Sequence, residues 1–126
     1  MSLEHKIVLY GLLGVLGLRL VGPGLAGVFK PDAGRTWLIG ETVDARNHRR
    51  ALNAMMAAMG AIALWACWDL ERARLLVLGL GLILAALVGA RVYSIVVDGV
   101  PGAWTFVYLI VETVMAAVFL IWPPPG

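Results

Sequence analysis

Four apolar stretches, separated by short polar segments, run along this chain at 6–29, 48–68, 73–97 and 103–122. A hydrocarbon core takes roughly 20 helical residues per crossing, so the pattern predicts an all-α fold, a four-helix transmembrane bundle with a long polar loop between helices 1 and 2. The first stretch holds Gly11, Gly14, Gly17 and Arg19, then Gly-Pro-Gly at 22–24. Pro23 removes a backbone donor between two glycines, and the helix is expected to kink or stop there. Residues 30–50, KPDAGRTWLIGETVDARNHRR, make the longest polar connection, with Trp37 and Ile39 apolar enough to lie on the membrane interface in a short helix. The second span opens near Asn47 or Ala51, carries Ala54, Ala57, Ala58 and Ala61 at a spacing that permits close helix approach, and ends at Trp65 and Trp68. DLERAR at 69–74 reads as a tight charged hairpin, and DGVPG at 98–102 as the turn into the last span. The chain shows no repeat and no low-complexity segment.

Composition agrees with that pattern. Of 126 residues, 61% are hydrophobic and 14% charged, and the mean hydropathy is +0.89, which places the chain outside the soluble class. There is room for one integral membrane domain, 1–126. The net charge of +2 comes from scattered arginines, not a basic run, so neither a nucleic-acid surface nor a polybasic lipid tether is indicated. A lone Cys67 gives no internal disulfide and no cysteine-based metal site. MSLEHK lacks a strongly basic start and no A-x-A cleavage site follows, so the first span is read as a retained helix. Four spans set both termini and DLERAR on one side. Lys6, Arg72 and Arg74 there stand against Lys30, Arg35, Arg46, Arg49 and Arg50 opposite, which favours a cytoplasmic long loop. The bias vanishes if Arg49 and Arg50 belong to a site inside the bundle, and orientation stays open.

Charged residues inside the spans are the candidate chemistry. At about 1.5 Å rise per residue, Arg91 lies roughly 10 Å below the 98–102 turn and Glu112 roughly 14 Å below it on the next helix. An ion pair across that hairpin is the simplest way to keep both in hydrocarbon. Arg91, Ser94 and Asp98 form one stripe of helix 3, and Thr105, Tyr108 and Glu112 a matching stripe of helix 4. Arg19, Arg49, Arg50 and Asn53 enter from the same side. Two readings are open: a structural clasp with snorkelling arginines, or a polar pocket for an anionic head group, formed by Arg19, Arg49, Arg50, Asn53, Arg91, Ser94, Asp98, Tyr108 and Glu112.

Catalysis has less support. His5 and His48 fall on opposite sides, which disfavours a haem or histidine metal site, and no cofactor or metal is expected. Ser94 lacks a nearby histidine, and a Glu112 engaged with arginine suits neither a general acid nor a base. Gly11, Gly14, Gly17, Gly79 and Gly81 make no phosphate loop and are expected to be packing notches. Met55, Met56 and Met59 read as core or lipid-facing residues.

NHRRALNAMMAAMG at 47–60, Arg91 and Ser94, Asp98-Gly99-x-Pro101 and Glu112, in that order, give the chain its likeness. It resembles a family of small bacterial membrane proteins, domain of unknown function 4345, over roughly 45–115. The resemblance implies four spans and carries over Asn47, Arg50, Gly60, Arg91, Ser94, Asp98, Gly99, Pro101 and Glu112, with Arg49 as the alternative to Arg50; it implies no reaction. The reading is a non-enzymatic envelope or accessory subunit of the bacterial cytoplasmic (inner) membrane, with membrane lipid and a homo-oligomer or larger complex as partners. Binding of an anionic lipid or other amphiphile is the first alternative. A small transporter is the second, set back because small multidrug exporters resemble one another in a helix 1 glutamate where this chain offers Arg19.

Overall fold

The computed structural model describes residues 1–29 and 43–125. Four helices form: α1 (Leu3–Phe29), α2 (Val43–Trp68), α3 (Arg74–Asp98) and α4 (Ala103–Ile121), and no strand occurs among the described residues. Each contains a segment long and apolar enough to cross a membrane, beginning in α2 at Asn47. The chain is an all-α integral membrane protein. Hydrocarbon offers no partner to a backbone N–H or C=O, so long apolar segments satisfy these groups internally as helix.

One boundary expectation is corrected. α1 runs through Pro23 to Phe29, the end expected for the 6–29 span, so of the kink or stop expected at the Gly-Pro-Gly the stop does not occur. Proline removes one hydrogen bond, whereas a break inside hydrocarbon would strand several groups, so continuation costs less. α2 starts at Val43, before Asn47 or Ala51, so residues 43–50 are helix and not polar loop. Trp37, Ile39 and the proposed interfacial helix lie outside the described residues.

The turns follow from local chemistry. After Trp68 a single 3-10 turn, Leu70–Arg72, links α2 to α3, with the Arg72 and Ala73 amides donating to Asp69 and Leu70 carbonyls at 3.1 and 3.2 Å. Leu70 is buried and anchors this otherwise charged turn. α3 ends at Gly99, whose φ of 104° and ψ of −175° belong to a region open essentially to glycine alone. Gly102 then precedes α4, and the Thr105 amide donates to its carbonyl at 3.1 Å.

The chain divides into two compact units: Met1–Tyr10 with Asp69–Gly126, and Gly11–Trp68. In the first, Val77, Leu80, Gly81 and Leu84 of α3 are buried, as are Met115, Ala116 and Phe119 of α4. A Cβ on Gly81 would stand 3.0 Å from the Phe119 Cβ. This core occupies only the end of the hairpin near the 3-10 turn, since no residue from 85 to 114 is buried. The amino-terminal turn of α1, the 69–74 turn and the carboxy-terminal segment come together at that same end, as an even number of spans requires. The His5 ring stacks on Trp122 with centroids 4.1 Å apart, Lys6 reaches Glu71 at 3.6 Å, and Arg74 donates to the Pro124 carbonyl at 3.0 Å.

In the second unit α1 and α2 run antiparallel with backbones nearly touching. A Cβ on Gly60 would lie 2.8 Å from both the Gly17 carbonyl and the Val21 amide, and one on Gly24 would lie 2.8 Å from the Ala57 amide. Gly17, Gly24, Gly60 and Ala57 therefore set the helix separation. Gly11, Gly14 and Gly79, expected as notches, are not, because a Cβ on any of them would meet nothing within 4 Å. Of Ala54, Ala57, Ala58 and Ala61, Ala57 is buried and the other three are exposed.

Gly60→Ala and Gly14→Ala separate these roles. The first drives a methyl into backbone that cannot yield and should cost about 1–3 kcal/mol, as overpacking does. The second should be neutral or stabilise by about 0.5–1 kcal/mol through reduced chain entropy. Equal melting temperatures for the two variants in detergent would remove the close approach.

Candidate functional site

The polar residues form one grouping in each unit. In the first, Arg91 near the end of α3 and Glu112 midway along α4 form a two-pronged ion pair. Arg91 Nε donates to Glu112 Oε2 at 2.7 Å and Nη2 donates to Oε1 at 3.0 Å. This fork-to-fork geometry fixes direction as well as distance. The side chains are 30% and 16% exposed, so the pair is recessed without being sealed. Tyr108, one turn before Glu112, presents its ring with the centroid 6.0 Å from Arg91 Cζ, the outer limit of a cation–π contact.

Ser94 and Asp98, next on the α3 stripe, are exposed, and the Ser94 hydroxyl donates to Asp98 Oδ2 at 2.9 Å. The bond joins positions i and i+4 of one helix, so it ties the stripe to itself. Thr105 is half-buried at the start of α4, and Pro101 half-buried in the turn. The Thr113 hydroxyl, beside Glu112, donates to the Leu109 carbonyl at 2.6 Å and so belongs to its own helix.

The second grouping lies where the end of α1 meets the start of α2. Arg50 Nη1 donates to the Val28 carbonyl. Val28 is in the last turn of α1, whose carbonyls lack an intrahelical partner, so Arg50 caps the helix from the neighbouring one. Asn53 Nδ2 donates to the Arg49 carbonyl at 2.8 Å, and its amide fills the space a Cβ on Gly27 would take, with Cγ only 2.3 Å from that position. Gly27 is what allows an asparagine in this contact. Arg49 is 5% exposed, Asn47 and His48 are exposed in the first turns of α2, and Arg19 is exposed on α1.

Sequence reasoning missed a tie in the first unit, at the end of the hairpin away from Arg91 and Glu112. His5 Nε2 donates to the Trp122 carbonyl at 2.6 Å, while the His5 ring is buried and stacked on the indole. A separation of 117 residues leaves no local pattern to read. The available signal was the placement of both residues at one end of the four-span plan.

The family described as "Domain of unknown function (DUF4345)" matches over residues 8–123, and the chain belongs to it. No curated protein and no solved structure matches.

The ion pair is open to a double-mutant cycle. Glu112→Ala and Arg91→Ala should each lower the melting temperature in detergent, since each leaves a charge in a recessed site without its counter-ion. Together they should cost less than the sum, with a coupling of about 0.5–3 kcal/mol. Additive effects would mean that the two side chains act independently.

Proposed function

We infer that the chain is a non-enzymatic accessory or envelope subunit of a bacterial cytoplasmic membrane, acting through helix faces and not through bond chemistry. The location follows the sequence resemblance to small bacterial membrane proteins. The reading rests on the half of the α3–α4 hairpin beyond Leu84. No residue there is buried up to 114, and Val92, Val96, Trp104, Val107 and Ile110 are exposed. Lipid alone can cover such a surface, but a hairpin held rigid by Arg91 and Glu112 also presents apolar faces in a fixed geometry to neighbouring helices.

The same pair argues against Arg91 as a site for an anionic ligand. Its Nε and Nη2 donors already meet a carboxylate in the bidentate manner that a phosphate would use, so a ligand at this edge would have to displace Glu112 into hydrocarbon. An intramembrane acid–base role meets the same obstacle.

Gentle extraction of the full chain from its own membrane, followed by native mass spectrometry, should find it with other subunits, or with copies of itself, at fixed stoichiometry. Glu112→Gln should loosen the hairpin and deplete that complex. A chain arriving alone, or bearing a discrete amphiphile that Arg91→Ala removes and Arg50→Gln does not, would overturn the accessory reading.

A further inference from the structure

A shallow groove of about 390 Å³ runs along the α1–α2 pair, lined by Val21, Leu25 and Val28 from α1 and by Ala54, Ala58 and Ala61 from α2. Its shape follows from the sequence. Glycines bring the two backbones together, branched and long side chains of α1 build one wall, and exposed alanines at i, i+4 and i+7 keep the other wall low. Val21 to Val28 and Ala54 to Ala61 each cover roughly 10 Å of helix. The groove is open, since Leu25 is 47% exposed and all three alanines are exposed.

Arg50 stands about one turn beyond Ala54, at the end of the groove where Val28 lies. Its bond to the Val28 carbonyl holds the guanidinium at the last turn of α1, which is where a helix of this length meets the head-group layer. Arginine carries five N–H donors and a charge fixed at all accessible pH. One donor goes to Val28. A fixed cation at phosphate depth, at the head of an apolar trough, matches an amphiphile with one anionic end and one extended chain.

We propose that this groove holds an acyl chain of an anionic membrane phospholipid, with the lipid phosphate on the Arg50 guanidinium. Selectivity comes from the charge. Lipid tails are as apolar as the groove walls, so seating a chain there gains packing but no hydrophobic free energy over the surrounding bilayer, and a zwitterionic lipid with the same tails fits as well. Both head groups offer a phosphate to the guanidinium, but in the zwitterionic one a choline cation offsets that charge beside the arginine, so net head-group charge separates the two. The site is separate from Arg91 and Glu112, and it stands whether or not the chain is an accessory subunit.

The test uses the purified full chain in detergent with phosphatidylglycerol and phosphatidylcholine of identical acyl composition, read by melting temperature and by native mass spectrometry. Phosphatidylglycerol should raise the melting temperature and give one retained adduct, and phosphatidylcholine should bind at least roughly tenfold more weakly. Arg50→Gln should abolish the difference, and Arg50→Lys should keep part of it. Ala58→Leu, which fills the trough without touching the cation, should weaken the adduct, and it decides the matter if Arg50→Gln does not fold. Equal binding of the two lipids, full retention in both Arg50→Gln and Ala58→Leu, or a dimer that covers the groove in place of lipid would overturn the proposal.

Discussion

A guanidinium and a carboxylate in neighbouring transmembrane helices must find each other or find water, because hydrocarbon solvates neither. Arg91 and Glu112 find each other, and the register of α3 against α4 follows from their meeting. Near the 3-10 turn the hairpin is held by packing, with Phe119, Leu80 and Val77 withdrawn from the surface. Beyond Leu84 no side chain is buried until Met115, and two directed hydrogen bonds supply what close packing supplies elsewhere. One half of the hairpin is held by shape and the other by charge. Polar ties of this kind hold helices in bilayers because, with apolar surface as comfortable in lipid as in protein, the alternative to pairing is an unsatisfied group.

The α1–α2 unit reaches stability by another route. Gly17, Gly24 and Gly60 remove side chains from the interface so that backbone faces backbone, Arg50 closes the end where α1 runs out of partners for its carbonyls, and Asn53, bonded to the Arg49 carbonyl of its own helix, fills the space beside Gly27. Arg50 and Asn53 are therefore part of the helix pairing, and they bond main-chain oxygens of α1 and of α2 respectively.

This explains which features were legible in the sequence. Span number and length follow from the cost of exposed backbone in hydrocarbon, which acts on every residue of an apolar stretch and leaves an unmistakable trace. Arg91 and Glu112 could be matched because a short turn fixes the relative depth of the two helices it joins. The start of the second span at Asn47 was legible, but the helical turn before it was not, because residues 43–46, VDAR, have the composition of a loop. Pro23 left a kink or a stop open, and the helix runs on because a break in hydrocarbon would strand several backbone groups where a proline strands one. Glycine roles were legible only in aggregate. Gly14 and Gly17 are equivalent on paper, and only the position of Leu64 and Gly60 separates them. The stack of His5 on Trp122 had no local trace at all.

The turn between Asp98 and Ala103 also bears on how the protein reaches its membrane. Arg91 leaves the ribosome well before Glu112, from which it is separated by 21 residues. Were α3 to partition into lipid alone, that arginine would enter hydrocarbon with no counter-ion, at about 2.5–3.5 kcal/mol on insertion scales. A turn of only residues 99–102, shaped by Gly99, lets the next helix fold back at once. A hairpin that enters whole carries the two charges already matched, so the ion pair that holds the finished structure also removes the cost of taking either charge into hydrocarbon alone.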